Sequence, residues 1–212
     1  MLASDAALAS AAAALSAHGW WLGENALKPT LAEALAANLA ALRQAEALHQ
    51  AGIGRETDHQ LRPDIRGDRI HWLTRSDPVQ ARFLAQMEAL RLVLNRRLFL
   101  GLFEFEAHYA HYPAGAFYRR HLDSFQGAAN RVVSLVAYLN PDWGAEDGGE
   151  LVLYDPAGES RLATIIPKSG RIVLFLSEEI PHEVLPARRD RLSIAGWFRL
   201  NASIAGQIDP PR

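Results

Sequence analysis

Residues 98–112 read LFLGLFEFEAHYAHY, and within this segment the spacing of apolar residues changes from helical to alternating. Apolar and charged or polar side chains alternate from residue 103 onward, which is the period of a half-buried β-strand. Five more short apolar segments follow, separated by Gly, Pro, Asp or Asn: RVVSLVAYLN, GGELVLYD, RLATIIP, GRIVLFL and RLSIAGWFRL. Regularly spaced short strands with turn residues between them are typical of a β-sandwich or barrel.

The part of the chain before residue 98 reads mainly as helix. An Ala-rich helix is predicted at 3–17, a second opens at Pro29 and ends before Gly52, and a third runs from Pro78 to about Arg97. The predicted fold class is therefore α+β. A single domain at 1–212 is expected, in which about eight strands at 98–200 form the core and two to three helices at 1–97 support it.

A long segment interrupts the helical part at about residues 50–68. It contains three Gly, one Pro and many charged side chains, so it reads as an exposed loop. Loops of this length in a compact domain are usually functional or mobile. We therefore expect a mobile substrate loop here.

Composition limits the chemistry and the partners. The chain has 22 basic and 24 acidic residues, giving a net charge of −2, with eight His and no Cys. Without Cys, disulfides, iron–sulfur clusters and thiolate zinc sites are excluded, so a metal must be held by His and carboxylate groups. The balanced charge predicts no nucleic-acid partner. Since no apolar run reaches 18 residues and the N-terminus lacks a basic signal region, we expect a cytoplasmic protein with no membrane partner.

One histidine precedes an acidic residue by two positions, in His121-Leu122-Asp123. On a strand these two side chains would face the same side. His182, in the segment EIPHEVLP, is a candidate third ligand. Two imidazoles and one carboxylate leave three coordination positions open, which is the arrangement of non-haem Fe(II) oxygenases, although zinc also accepts such ligands. Spacing alone leaves open the alternative of a surface ion pair between His121 and Asp123, with His182 in a turn.

Arg191 follows His182 by nine residues and begins the apolar segment 191–200. A buried Arg is costly without a partner, and its guanidinium suits the distal carboxylate of a dicarboxylic acid. Tyr138 is placed to add a hydroxyl to that carboxylate, and Tyr112 to reach the metal end. The alternative is that both tyrosines are core aromatics and Arg191 belongs to a solvated basic run.

Three segments together make a family resemblance: HYPAGAFYRRHLDS (111–124), RVVSLVAYLNPDWGAEDGGELVLYD (131–155) and IIPKSGRIVLFLSEEIPHEVLPARRDRLSIAGWF (165–198). They closely resemble the prolyl hydroxylase branch of the 2-oxoglutarate/Fe(II) dioxygenases. The similarity is strongest to the hypoxia-sensing prolyl hydroxylase domains and to their bacterial relatives that act on a translation elongation factor. It extends over residues 62–199 and implies a double-stranded β-helix, or jelly roll, as the core.

The resemblance implies a role for each candidate in the site. His121, Asp123 and His182 would bind Fe(II). Arg191 would bind the distal carboxylate of 2-oxoglutarate, helped by Tyr138.

Five further residues acquire roles from the same resemblance. Tyr112 would lie near the metal-chelating end of the cosubstrate, and Trp197 would form a wall of the pocket. The segment IRGDRIHWL (65–73) resembles the loop and strand that shape the peptide groove in this branch. Arg66, Asp68 and Arg131 match positions that the branch uses around its substrate.

The implied activity is hydroxylation of a prolyl residue in a protein substrate, at the 4-position. Fe(II), 2-oxoglutarate and O2 would be required, with ascorbate as a reductant, and a translation elongation factor is one candidate substrate. Two alternatives stay open. One is an oxygenase acting on a free amino acid or another small substrate, and the other is a sensor that binds metal and 2-oxoglutarate without catalysis.

Overall fold

The computed structural model describes residues 5–51, 64–124 and 130–201. Most of the loop predicted at 50–68 lies outside these residues. The described helices are α1 (Asp5–His18), α2 (Pro29–Gln44) and α3 (Pro78–Leu98). The described strands are β1 (Trp20–Gly23), β2 (His49–Gln50), β3 (Arg69–Trp72), β4 (Glu104–Tyr112), β5 (Tyr118–His121), β6 (Arg131–Tyr138), β7 (Leu151–Tyr154), β8 (Arg161–Ile165), β9 (Ile172–Leu176), β10 (His182–Val184) and β11 (Arg191–Arg199).

The strands form two antiparallel sheets. The major sheet has the order β1-β9-β6-β11-β4-β3-β2, and the minor sheet has the order β5-β10-β7-β8. Strands β4–β11 supply four strands to each sheet, which is the eight-stranded double-stranded β-helix predicted above. The three N-terminal strands extend the major sheet at its two edges. The predicted α+β fold class is therefore confirmed, with three strands more than the core requires.

Alternation along the strands gives the major sheet two different faces. On β9, Ile172 and Leu174 pack with the helices, whereas Val173 and Phe175 face the minor sheet. Helix α1 packs on β1 and β9, and α3 packs on β4. The sheet residues of the helical cluster are Ala107, Tyr109, Val133, Leu135, Ala137, Ile172, Leu174, Ile194 and Phe198. Their chain neighbours therefore line the space between the two sheets.

Helix α2 ends earlier than its apolar spacing predicts. The expected helix continued to about residue 50, but α2 stops at Gln44, and Glu46 adopts a left-handed conformation with φ 54°. The amide of Ala47 donates to the carbonyl of Leu42, and the amide of Glu46 donates to that of Arg43. These two bonds form a Schellman motif, which satisfies the last carbonyls of a helix and turns the chain away. The chain then forms β2 at the edge of the major sheet.

Asp77 caps helix α3 and connects it with α2 and the sheet. Its Oδ1 accepts hydrogen bonds from the amides of Val79 and Gln80, at 2.8 and 3.0 Å. Its Oδ2 accepts from Asn38 of α2 at 2.9 Å, and Asn38 in turn accepts from the hydroxyl of Tyr109 on β4 at 2.9 Å. One side chain therefore begins the helix and fixes how it sits on its neighbours.

We expect Asp77→Ala to lower the free energy of unfolding by about 1 kcal/mol at neutral pH, the usual cost of removing an N-cap. Hydrogen bonds led by that from the amide of Gln80 hold the pKa of Asp77 below its ordinary value. A depressed pKa contributes stability above the unfolded-state pKa, and this contribution is lost as the pH falls through the folded-state pKa. The difference from wild type should therefore shrink in acid. Urea unfolding at neutral and acidic pH measures this difference in the free energy of unfolding, with Ser76→Ala as the control. Equal stability of wild type and Asp77→Ala at neutral pH would contradict the prediction.

None of the described helices is long and apolar enough to cross a membrane.

Candidate metal centre and cosubstrate pocket

Three side chains of the types that bind metals meet between the two sheets. His121 ends β5, His182 begins β10, and the two residues are paired across these strands. One ligand atom from each of His121, Asp123 and His182 lies within 4.8 Å of the other two. The Asp123 carboxylate is 3.5 Å from Nε2 of His121 and 3.6 Å from Nε2 of His182. The structure thus brings together the three predicted ligands, although Asp123 lies just beyond the end of β5 and not on the strand.

Backbone carbonyls orient both imidazoles. Nδ1 of His121 donates to the carbonyl of Arg119 at 2.8 Å, and Nδ1 of His182 donates to the carbonyl of Ile180 at 3.1 Å. In each histidine the other ring nitrogen, Nε2, therefore faces the carboxylate. Burial lowers the pKa of His182 to about 4, so this imidazole is in its neutral, metal-binding form at neutral pH.

Ser134 holds the carboxylate of Asp123, and Ser177 lies beside Ser134. Ser134 Oγ donates to Asp123 Oδ2 at 2.6 Å and lies 2.9 Å from Ser177 Oγ. Burial alone would raise the pKa of Asp123, but His182, His121 and Ser134 together hold it well below its usual range. The candidate ligand Asp123 is therefore an ionised carboxylate with a fixed orientation.

The donor set fits a divalent first-row metal. It consists of two imidazole nitrogens and one carboxylate oxygen, and a set of three leaves coordination positions for further ligands. Within the described ranges, no other group of three or more His, Asp or Glu residues comes this close together. The site could therefore hold Fe(II), as the sequence predicts.

Arg191 begins β11 with only 1% of its surface exposed. Its Nε donates to the carbonyl of Gly149 at 2.8 Å and its Nη1 to the hydroxyl of Ser193 at 3.2 Å. Among the described residues, no carboxylate forms an ion pair with it. A buried guanidinium is costly without an anion, so this geometry calls for a bound carboxylate.

Two tyrosines flank this cation. The Arg191 guanidinium carbon lies 5.2 Å from the ring centre of Tyr138 and 5.1 Å from that of Tyr112. The Tyr138 hydroxyl is buried and finds no hydrogen-bond partner among the described residues. Burial raises its pKa to about 12, so it is a protonated donor. A carboxylate beside Arg191 would satisfy both groups, so the pocket fits the distal end of 2-oxoglutarate.

Gly149 makes room for the Arg191 side chain. Its φ is +71°, and an added Cβ would lie 3.1 Å from Arg191 Cδ and 2.9 Å from the Cβ of Ala187. A larger residue would therefore be strained and would push the guanidinium away. In the sequence, the only hint of this role of Gly149 is the Gly-Gly pair at 148–149, shortly before β7.

Trp197 lies on the pocket face of β11, paired with Ser134 of β6. Arg131 places its guanidinium 3.6 Å from the centre of the Trp197 ring and forms an ion pair with Glu106 at 3.0 Å. Trp197 also packs beside the buried His108, with ring centres 5.5 Å apart. Arg131 is thus held against the wall that the sequence predicts.

The other two predicted substrate residues pair with each other. Arg66 donates two hydrogen bonds to Asp68, at 2.6 and 2.9 Å, and Asp68 is fully buried. Asp68 therefore fixes the guanidinium of Arg66 in position. Burial, with Arg66 and Arg131 adding to the effect, lowers the pKa of His108 to about 4. The charges of Arg66, Asp68 and Arg131 thus all act on the pKa of one neutral imidazole, which sequence reasoning did not select.

Sequence reasoning also missed the residues that orient the ligands. Ser134 and Ser177 carry no motif; Ser134 lies on the pocket side of β6, and Ser177 directly follows β9. Tyr118 is the third omission: its ring stacks on His121 with centres 3.6 Å apart.

Comparison with known proteins agrees with this geometry. Residues 107–199 match the family described as the 2OG-Fe(II) oxygenase superfamily. A Pseudomonas putida prolyl-4-hydroxylase crystal structure is 44% identical, covers 91% of this chain and 98% of that chain, and has a TM-score of 0.84. A Trichoplax adhaerens prolyl hydroxylase, solved with a peptide fragment of the hypoxia inducible factor oxygen degradation domain, is 27% identical, covers 92% and 89%, and has a TM-score of 0.81.

Among curated proteins, human Egl nine homolog 1 is 34% identical over 171 residues, which are 73% of this chain and 39% of that protein. The chain spans less than half the length of the human, rat and mouse Egl nine homolog 1 proteins that it matches. The similarity to the Pseudomonas enzyme, in contrast, covers nearly all of both chains. The chain therefore belongs to the 2OG-Fe(II) oxygenase superfamily.

Proposed function

We propose that this protein is a 2-oxoglutarate- and Fe(II)-dependent dioxygenase that hydroxylates a prolyl residue of a protein substrate at the 4-position. The observation that carries the proposal is a buried Arg191, without a carboxylate partner among the described residues, in the same inter-sheet space as the cluster of His121, Asp123 and His182. The similarity to the Pseudomonas prolyl-4-hydroxylase over nearly the whole chain supports the choice of proline.

In this proposal His121, Asp123 and His182 hold the metal. Bound Fe(II) supplies the activation of O2 for hydroxylation of a C–H bond, coupled to conversion of 2-oxoglutarate to succinate and CO2. The protein keeps the imidazole of His182 neutral and the carboxylate of Asp123 ionised before the metal arrives. Because backbone carbonyls and Ser134 already orient these groups, little reorganisation accompanies binding.

Arg191 and Tyr138 would bind the distal carboxylate of 2-oxoglutarate. The guanidinium offers a permanent charge and the hydroxyl a hydrogen bond, so a dicarboxylic 2-oxo acid is preferred over a monocarboxylic one. Tyr112 is buried beside Arg191, and burial raises its pKa, so it stays protonated. In the proposal its hydroxyl would meet the chelating end of the cosubstrate. Trp197 closes the pocket on the β11 side and excludes water from it.

Arg66 and Arg131 would meet the substrate, with Asp68 fixing Arg66. The proposal keeps the division of the chain that was predicted from the sequence. Residues 98–200 carry the reaction, and residues 1–97 support this core and shape the groove. We place the reaction in the cytoplasm, and a translation elongation factor is the first substrate to test. Ascorbate is the expected reductant in the assay.

The test is a reaction of the purified protein with Fe(II), 2-oxoglutarate, ascorbate and prolyl peptides of an elongation factor. We expect one peptide to gain one oxygen on proline, with one succinate formed for each hydroxylation, as measured by mass spectrometry. The matched control is the same peptide with Pro→Ala, which should gain nothing.

Other outcomes would contradict the proposal in distinct ways. Oxidation of free proline without any peptide reaction would favour a small-molecule oxygenase. Tight binding of metal and 2-oxoglutarate with no turnover, on elongation-factor peptides or on a digest of the proteome, would favour a sensor.

A further inference from the structure

Tyr118 and His121 lie at the two ends of the short strand β5, and their rings stack. The ring centres are 3.6 Å apart and the planes differ by 18°. On a regular strand, residues three apart face opposite sides. Here Tyr118 pairs with Val184 and His121 pairs with His182, so β5 uses one residue more than β10 over the same interval. This irregularity is a β-bulge, which turns both rings to one side.

Arg66 reaches the same tyrosine. Its guanidinium carbon is 4.8 Å from the ring centre of Tyr118. The imidazole of His121 and the guanidinium of Arg66 therefore both contact this one ring. Asp68 completes the row by two hydrogen bonds to Arg66. The buried carboxylate, the guanidinium, the phenol and the imidazole thus form one continuous row, which we call the Asp68–His121 row.

Backbone pairing holds this row together. The amide of Arg119 donates to the carbonyl of Ile65, and the amide of Gly67 donates to the carbonyl of Phe117, both at 3.0 Å. Arg66 and Tyr118 therefore face each other across an antiparallel bridge. The carbonyl of Arg119 is also the acceptor for Nδ1 of His121. Displacement of residues 65–67 would consequently displace the groups that orient His121.

The two histidines of the cluster depend on their neighbours to different degrees. The side chain of His182 is 6% exposed and packs against Phe175, with ring centres 4.5 Å apart. The side chain of His121 is 18% exposed. His121 also contacts the ring of His182, with centres 4.3 Å apart, but only the ring of Tyr118 stacks on it face to face among the described residues. With less of its surface in contact with the protein, His121 depends more on Tyr118 to fix the plane of its ring.

We propose that Tyr118 is a positioning residue that fixes the imidazole of His121 for the metal, and that Arg66 fixes Tyr118 in turn. The segment at residues 65–68 and the metal ligand are then coupled, so that a change at either end of the Asp68–His121 row alters the other. The proposal deepens the proposed function in one respect, since it assumes that residues 65–68 contact the substrate. The coupling itself does not depend on that function.

The test measures binding of Mn(II) to the metal-free protein by electron paramagnetic resonance, without peptide or turnover. We expect Tyr118→Leu to weaken Mn(II) binding about tenfold, the lower end of the effect of removing groups that orient metal ligands. Tyr118→Phe keeps the stack and should bind like wild type. The matched control is Tyr154→Leu, because Tyr154 lies in the same sheet, carries the guanidinium of Arg120 at 4.1 Å and stacks on no ligand.

Wild-type affinity in Tyr118→Leu would overturn the positioning role, as would an equal loss in Tyr154→Leu. Circular dichroism and thermal unfolding show that each variant is folded. A failure of prolyl hydroxylation in the earlier assay would leave this measurement unaffected, so the two proposals fail separately.

The contribution of Arg66 is tested by a cycle of variants. Arg66→Met is combined with Asp68→Asn, so that no buried carboxylate is left unpaired. This change should weaken Mn(II) binding when Tyr118 is present and have no further effect in Tyr118→Leu, because coupled residues are not additive. Additive losses would overturn the coupling. If the combined variant does not fold, Arg66→Lys replaces it, since lysine keeps the charge without the planar group.

Discussion

Asp123→Ala is expected to lower 2-oxoglutarate-dependent succinate formation by more than about 100-fold. Removing a group that merely orients a metal ligand costs 10- to 100-fold, and Asp123 is itself the proposed ligand. The substitution removes the one anionic donor of the cluster and leaves Ser134 without its acceptor. Two neutral imidazoles then remain to hold a divalent cation.

Succinate release under saturating Fe(II) and 2-oxoglutarate measures this effect, with Mn(II) binding as a second readout. Glu24→Ala is the control, because Glu24 is an exposed carboxylate whose ion pair with Arg171 lies on the surface. An exposed pair contributes little, so this variant should behave like wild type. Full turnover by Asp123→Ala would show that Asp123 is not a ligand of the metal.

Arg191→Met is expected to raise the KM for 2-oxoglutarate by at least about 30-fold. Truncating one partner of a buried charge pair costs about 2 kcal/mol or more, and each 1.4 kcal/mol is about tenfold. In the metal-free protein the same substitution removes a buried charge that has no anion among the described residues. We therefore expect Arg191→Met to be no less stable than wild type before the cosubstrate binds.

The decisive measurement compares 2-oxoglutarate with 2-oxopentanoate, which has no distal carboxylate. Wild type should strongly prefer 2-oxoglutarate, and Arg191→Met should lose most of this preference. Arg191→Lys keeps the charge but loses the planar guanidinium. Its preference for 2-oxoglutarate should therefore lie between those of wild type and Arg191→Met. An unchanged KM for 2-oxoglutarate in Arg191→Met would show that the carboxylate binds elsewhere.

The candidate site was predictable where residue type and spacing carry the chemistry. His121 and Asp123 stand two apart, and Arg191 begins an otherwise apolar strand, so each is conspicuous in the sequence. The alternating period likewise separates the helix-facing side of the major sheet from the pocket side. The resemblance to prolyl hydroxylases added the individual roles, which remain predictions.

The remaining features arise from contacts between distant segments. Tyr118 was missed because a spacing of three predicts opposite faces, and the β-bulge that reverses this prediction appears only when β5 pairs with β10. Helix α2 was predicted too long because its apolar spacing continues past the Schellman motif at Glu46. The burial of Asp68 depends on pairing between residues 65–67 and 117–119, which lie far apart in the sequence.

The two-faced major sheet has a consequence for engineering and for evolution. Ile172 and Leu174 of β9 belong to the core cluster on the helix side of the sheet, whereas Val173 and Phe175 belong to the cluster on the side of the other sheet. Hydrophobic cores tolerate exchanges that conserve volume, so the helix-facing positions can drift or be redesigned while the pocket keeps its shape. Heat tolerance and substrate range can therefore be selected on alternate residues of the same strand.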